Sequence, residues 1–426
     1  MVVEPHISGR RIMSKNLLKW LYPGMQVKRW VSTSLFGVCI VALGAYFSAY
    51  PHPFVSTFGV VIVLCGILLT VLGIGKLTIS LITIFLPKRE QDLVNILYQK
   101  RFLERGPKIV AIGGGHGLSN LLLALKEYTS NITAIVTVAD SGGSSGRLRE
   151  QFDIVAPGDI RNCLVALADA PGIMGDLFQY RFPEKSELKG HNFGNLFLTA
   201  LYVVGHSDFR QAVELASKVL AIRGKVVPST VANVHLVARY RDGKITEGEA
   251  RIPRKGVPID RVFLNPPDAP PTEEAIDAIR EADVIILGPG SLYTSVLPNL
   301  VIQGIPQAME SSSAFKIYVC NVMTQEGETE TYTASEHVKA LINHTNRNII
   351  DGVVVNSSEI QDKATLERYR QENSIPVKAD SDEIRSMGYK VFAEDIVSIK
   401  DYVRHDSHKL TQVLIAAIER NRVIKR

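Results

Sequence analysis

From Trp30 to Gly75 no Asp, Glu, Lys or Arg interrupts the chain, and the run divides into Val31–Tyr50 and Val55–Gly75 around Pro51-His52-Pro53. Each half is about 20 residues, the length a helix rising about 1.5 Å per residue needs to cross a hydrocarbon core about 30 Å thick. The pattern predicts two transmembrane helices, with a buried hairpin of soluble helices as the alternative. Leu77–Leu86 is apolar too and reads as an extension of the second helix or an interfacial stretch. Beyond it the period changes. Lys108–Gly115 is a short β-branched run ending in glycines, Leu118–Tyr128 carries apolar residues at helical spacing, and Ile132–Asp140 is a second apolar run. Strand, glycine turn, helix, strand, with strands apolar on both faces, is the signature of a parallel α/β sheet.

The same alternation recurs downstream: a helix over Ser207–Ile222 with a Ser cap, strands at Asp283–Gly290 and Lys316–Val322, and a helix over Ser335–His344. Val234–Tyr240 and Lys244–Ile252 flank Arg241-Asp242-Gly243 and predict an antiparallel hairpin. Two domains follow: an anchor over residues 1–100, with spans at about 31–50 and 55–75, and a body over residues 105–426.

Charge assigns an orientation to the anchor. Arg10, Arg11, Lys15, Lys19, Lys28 and Arg29 precede the first span and Lys76, Lys88 and Arg89 follow the second, while the turn between them has none. Positive flanks stay inside, so both termini and the body are expected in the cytoplasm, with the lipid bilayer as a partner. A cleaved secretory signal is disfavoured, because the apolar segment starts about thirty residues in and doubles back. The net charge of +5 is terminal: residues 1–100 hold 10 Lys/Arg against 3 Asp/Glu, the remainder 38 against 40. A nearly neutral body argues against nucleic acid as a partner. The four cysteines, Cys39, Cys65, Cys163 and Cys320, show no zinc-ligand spacing.

Candidate chemistry sits in the turns. Gly113-Gly114-Gly115-His116-Gly117 ends a predicted strand and opens a predicted helix, where bare backbone N–H groups and the helix terminus favour an anion. It is not a Walker A loop, and Leu118 takes the place of the last glycine of a dinucleotide fingerprint. The next loop, Asp140-Ser141-Gly142-Gly143-Ser144-Ser145-Gly146-Arg147, lies at the same sheet edge, with Arg147 and Arg149 as phosphate donors. Asp140 could hold a ribose hydroxyl or Mg²⁺, or cap a helix. In Pro157-Gly158-Asp159-Ile160-Arg161-Asn162, capping alone would explain Asp159 but leaves Arg161 and Asn162 unaccounted for. His191, Asn192 and Asn195 form a polar cluster before an apolar helix, and Gly288, Gly290, Ser291 and Tyr293 repeat the strand-to-glycine device. Asn321 and Thr324 follow the next strand onto the same edge.

Taken in order, IGGGHGLS, ADSGGSSGRLR, PGDIRNCLVAL, HNFGNL, GPGSLYTSVLPNL and NVMTQEGET resemble the signature blocks of the YvcK/CofD-like family, from about Lys108 to the C-terminus. The GET block and a C-terminal part with Tyr369 and Arg404-His405-Asp406 look closer to the YvcK branch, the gluconeogenesis factors. The resemblance implies an α/β, Rossmann-like, mainly parallel sheet with helices on both faces, here preceded by two transmembrane helices. It implies a binding protein for UDP-sugars, notably UDP-N-acetylglucosamine, without turnover, linked to gluconeogenic growth, cell shape and regulators of cell-wall synthesis, and leaves homo-oligomers open. Tyr369 and Arg404 match UDP-sugar contacts. No cofactor is required on that branch. The CofD branch implies instead a phospholactyl transferase using Mg²⁺, which Asp140 and Asp159 would position; a nicotinamide-dependent oxidoreductase is a weaker third reading. Two departures are His116, where many relatives have Thr, and the two-helix anchor.

Overall fold

The structure, a computed structural model, describes residues 27–85 and 102–421, except 170–171, 256 and 400–401. The chain divides into two compact units, residues 1–99 and 100–426. The basic flanks Arg10, Arg11, Lys15, Lys19, Lys88 and Arg89, on which the expected orientation rests, lie outside the described residues, as does most of the connector.

In the first unit, α1 (Val27–Ser48) and α2 (Pro53–Phe85) form an antiparallel hairpin, and the apolar stretch from Leu77 continues α2 to Phe85. Both helices are long and apolar enough to cross a membrane. Where burial is described in them, the buried residues are all glycines: Gly37 and Gly44 on α1, and Gly59, Gly66 and Gly73 on α2. They recur every seventh residue, so each helix lays one bare stripe along the other. A β-carbon at Gly66 would sit 2.7 Å from Val41 N and 2.9 Å from Gly37 O, which only glycine permits. The outer faces carry Leu35, Phe36, Phe58, Leu64 and Leu68, all exposed.

The second unit is built on seven strands: β1 (Ile109–Gly113), β2 (Ile132–Val136), β3 (Lys225–Pro228), β7 (Val284–Leu287), β8 (Phe315–Val319), β9 (Gly352–Asn356) and β10 (Lys390–Glu394). Their order is β10-β9-β8-β7-β1-β2-β3 and every pairing is parallel. β1, β7 and β8 are buried along their whole length, as strands covered on both faces must be. A smaller antiparallel sheet has β4 (His235–Tyr240) between β5 (Ile245–Glu247) and β6 (Ile259–Asn265), and β11 (Val397–Ile399) pairs with β12 (Val403–His405).

The helices that shape the site are α3 (Gly115–Leu125), α4 (Gly143–Phe152), α5 (Gly158–Leu167), α6 (Ile173–Gln179), α7 (Phe193–Val204) and α8 (Phe209–Leu220). Two local expectations change. Ser207 does not cap α8: it sits at φ 66°, outside the extended backbone a cap needs, and Asp208 accepts from Arg210 N at 2.9 Å instead. The hairpin turns at Gly243 (φ 82°) as expected, but its second strand stops at Glu247 and Glu249–Lys255 winds into a 3₁₀ helix.

Candidate functional site

The sheet order reverses between β1 and β7, and the two glycine loops leave the sheet side by side at that point, where open α/β folds bind ligands. They touch through bare backbone. A β-carbon at Gly117 would lie 2.6 Å from Pro289 O, and one at Gly290 would lie 3.3 Å from Gly114 O. Gly115, at φ +64°, turns the chain into α3, whose N-cap Gly114 offers no side-chain acceptor. Gly115 N–H is taken by Asp159, and the amides that follow it in the first turn of α3 face the cleft without a side-chain cap.

Above these loops opens a cavity of about 700 Å³. Of the residues singled out from the sequence, Gly114, Gly115, His116, Gly117, Gly290, Ser291, Asn321, Thr324, Tyr369 and Arg404 line it. Tyr369 comes from the helix Lys363–Gln371 and Arg404 from β12, and the two are tied together because the Tyr369 hydroxyl accepts from Val403 N at 3.0 Å. Arg404 is exposed, with its guanidinium over the Tyr402 ring. Ser291 Oγ accepts from Gln325 Nε2 at 2.7 Å, and Asn321 Nδ2 donates to Gln325 Oε1 at 3.3 Å. Thr324 faces inward chemically as well as sterically: its hydroxyl accepts from Ile375 N at 2.9 Å. Burial, then the charges of Arg404 and Arg161, lower the pKa of His116, so a neutral imidazole stands at the mouth of α3.

The other candidates gather on the far side of α3. Asp159 is half-buried, and a β-carbon at Gly114 would meet its Oδ2 at 2.5 Å. Burial and the nearby Asp140 charge push Asp159 up to about 7, against a bond from Gly115 N–H. It does not cap α5, because Pro157 holds that N-cap position and Asp159 stands in the first turn; its carboxylate accepts instead from Gly115 N–H, the first amide of α3. Asp140 accepts from Gly142 N at 2.7 Å, and its Oδ2 would lie 2.8 Å from a β-carbon at Gly158. Ser141 Oγ accepts from Ala250 N at 3.1 Å. That contact brings in Glu249, which the sequence reading had not singled out; burial, then Asp140 and Asp159, raise it to about 7.

Arg161, Asn162, His191, Asn192 and Asn195 are all buried and bonded among themselves. Arg161 Nη1 donates to Asn195 Oδ1 at 3.0 Å and Nη2 to Asn162 Oδ1 at 2.7 Å. Asn195 Nδ2 reaches Ser145 Oγ at 3.4 Å, and Ser144 Oγ meets His191 Nδ1 at 3.2 Å. Asn192 is the structural cap of α7.

Several candidates do not face a ligand. Gly113 closes β1, and Gly288 (φ +77°) shapes the turn beneath the second loop. Gly142 and Gly143 start α4 without lining the large cavity. Tyr293 turns into the core, 1% exposed, with its hydroxyl 2.7 Å from that of Tyr332. Arg149 is no phosphate donor: its Nε donates to Asn233 Oδ1 at 2.6 Å and Nη2 to the Val234 carbonyl. Arg147 holds the Lys189 carbonyl at 2.8 Å. Conversely, Glu328, from the GET block, is a cavity residue the sequence reading left out; burial raises it to about 7 and Thr294 Oγ1 bonds it at 3.2 Å.

The family model for 2-phospho-L-lactate transferase CofD matches residues 109–397. The chain belongs to the CofD family. Within it, the similar relatives are gluconeogenesis factors. That of Bacillus subtilis is 50% identical and matches 72% of this chain and 97% of its own. A Nostoc sp. protein, provisionally given the same designation, is 43% identical over 93% of this chain and 91% of its own length. A solved structure of a Bacillus halodurans protein of the UPF0052 family is 45% identical, covers 73% of this chain and 99% of that one, and superposes with a TM-score of 0.70. This CofD-family chain thus shares its body with relatives that are barely longer than the body, and shares nearly its whole length with others.

Proposed function

We propose that the protein is a membrane-anchored regulatory protein that binds a sugar nucleotide of the UDP-N-acetylglucosamine kind and links carbon metabolism to cell shape. The observation that carries this reading is the meeting of two bare glycine loops at the sheet reversal, with uncapped α3 amides opening into a cavity long enough for an extended ligand. The diphosphate would lie on the α3 amides, where backbone donors and the helix terminus favour negative charge. Arg404 and Tyr369 would hold the far end. Gluconeogenesis-factor relatives support the metabolic link. The anchor reading is supported by the hairpin, in which glycines of each helix pack against the backbone of the other and the outer faces are apolar; small residues at helix contacts and apolar residues toward lipid are the membrane arrangement.

A CofD-like transferase is the second reading, and the Asp140–Asp159 pair favours it. Mg²⁺ is commonly held by one or two carboxylates, with waters and substrate phosphates completing the octahedron. These two fit: both are acidic, mutually repelling, and adjacent to the loop that would carry the diphosphate, while no set of three metal-binding side chains exists among the described residues. A bound Mg²⁺ would neutralise charge on a leaving phosphate. Asp159 would keep its oxygen toward the Gly114 loop, and His116, held neutral, would add no charge to the anion site.

The test is titration of wild type and Asp140→Asn with UDP-N-acetylglucosamine, with and without Mg²⁺, followed by a search for released UMP over hours. Metal-tolerant binding without product supports the regulatory protein; strict Mg²⁺ dependence with released nucleotide replaces it by the transferase.

A further inference from the structure

The glycine loops after β1 and β7 look equivalent along the chain, yet their amides meet different partners. Beyond Gly115 the first-turn amides of α3 face the cavity. After Gly290 and Ser291, which also line the cavity, the chain winds into a π-helical turn, Leu292–Val296. There Tyr293 N donates to Glu328 Oε2 at 3.3 Å, Thr294 N donates to the same carboxylate, and Thr294 Oγ1 donates to Oε1 at 3.2 Å. The donors that such a turn would offer an incoming anion are thus already taken by the chain's own carboxylate.

Glu328 is 6% exposed and lines the cavity. Its place is fixed, because Gly327 (φ +73°) packs so closely that a β-carbon there would enter the Pro253 carbonyl of the 3₁₀ helix Glu249–Lys255. It makes no ion pair among the described residues. The titratable groups that feel its charge are Glu249, Tyr240 and Tyr293, and Glu249 in turn feels Asp140 and Asp159. Of the other charged side chains lining the cavity, Glu326 and Glu372 are acidic as well, while the guanidinium of Arg404 acts on His116 at the start of α3. The amides of α3 therefore accept one diphosphate, and the wall at Glu328 presents a carboxylate to whatever group follows it.

We infer that Glu328 is a specificity-determining residue, which makes the cavity accept a sugar nucleotide whose sugar is uncharged and reject one whose sugar carries an acid. The inference rests on the sugar-nucleotide reading and adds to it the class of sugar and its direction: the sugar lies toward Glu328, the nucleoside toward Tyr369 and Arg404. Hydroxyls of a neutral sugar donate to the carboxylate in charge-assisted bonds. A uronate would instead bring a second carboxylate against a buried one that has no counter-ion, and like charges so placed disfavour the ionised forms. Selectivity of this kind comes from repulsion of the wrong ligand as much as from attraction of the right one. Burial raises Glu328 to about 7, so the repulsion is weak in mild acid and grows as the group ionises.

The experiment compares UDP-N-acetylglucosamine with its 6-carboxylate counterpart, UDP-N-acetylglucosaminuronic acid, each titrated calorimetrically into the full chain in detergent. The neutral sugar should bind about tenfold or more tighter at about pH 8, and the two should agree within about threefold at about pH 6. Glu328→Gln should hold the ratio within about threefold at both. Asp159 and Glu249 titrate in the same range, so it is the variant that assigns the effect to Glu328. Should Glu328→Gln fail to fold, Thr294→Val decides: it removes a bond that favours the ionised carboxylate, so the pH at which the ratio changes should move up. Equal affinities in the more alkaline buffer overturn the inference. So does a ratio that survives in Glu328→Gln, that does not change with pH, or whose midpoint Thr294→Val leaves in place. If neither nucleotide binds in either buffer, the sugar-nucleotide reading itself fails and takes this inference with it.

Discussion

Gly114 and Asp159 occupy the same few cubic ångströms: a β-carbon on the first would lie 2.5 Å from Oδ2 of the second, with Thr137 Cγ2 at 2.6 Å closing the other side. Gly114 is extended (φ −171°), so any residue could adopt its backbone; space alone demands glycine. Replacement by Ala should destabilise the body by about 1–3 kcal/mol, the usual cost of overpacking a filled site. Denaturant unfolding measures it. An unchanged midpoint would show that the carboxylate moves aside freely.

Three carboxylates, the buried Glu328 and the half-buried Asp159 and Glu249, are raised to about 7. A raised acid binds more protons folded than unfolded, so its favourable contribution is full below the unfolded value near 4 and is lost as pH climbs through about 7. Unliganded protein should therefore lose stability between about pH 4 and 7. Asp159→Asn should flatten part of that slope. Melting temperatures across the range, read on both proteins, check it; parallel curves would mean that Asp159 titrates normally.

Arg404→Ala should weaken UDP-N-acetylglucosamine by roughly 2 kcal/mol, the cost of one charge-assisted contact, without changing the melting temperature. Arg404 is exposed and makes no ion pair among the described residues, and its one reported side-chain contact is with the exposed Tyr402 ring. Equal affinity in the variant would remove this end of the cavity from the site.

Gly66→Leu should separate the two helices of the hairpin, since its side chain would enter the backbone of Val41. Fluorophores carried at the exposed Leu35 and Leu72, one on each helix, should lie farther apart in the variant than in wild type. An unchanged separation would place the helix contact elsewhere. Reporter fusions at each terminus should both report the cytoplasm.

A body cut to begin near residue 100 should remain monodisperse and keep its ligand affinity. The Bacillus subtilis relative matches 72% of this chain with 97% of its own length, so a body of this size exists without such an anchor. Aggregation at every start point tried would place the boundary elsewhere.

Periodicity and turn chemistry are local properties, and what depends on them was legible: the two apolar helices, the alternating strands and helices, and the glycine loops after β1 and β7. Cap positions slipped by one residue, because Ser207 and Asp208 are both good caps and only the backbone angle chooses between them. The fates of polar residues could not be read in the same way. Arg149 and Arg161 look alike along the chain, yet the first is turned to Asn233 and the Val234 carbonyl and the second to the side-chain amides of Asn162 and Asn195. Tyr293 and Tyr369 look equally suited to a ligand, yet one lies in the core and the other on the cavity wall. Glu249 joins Asp140 and Asp159 from about ninety residues downstream, by way of a small antiparallel sheet. Whether a charged group meets water, a partner or nothing depends on which distant segments fold against it, and local pattern carries no information about that.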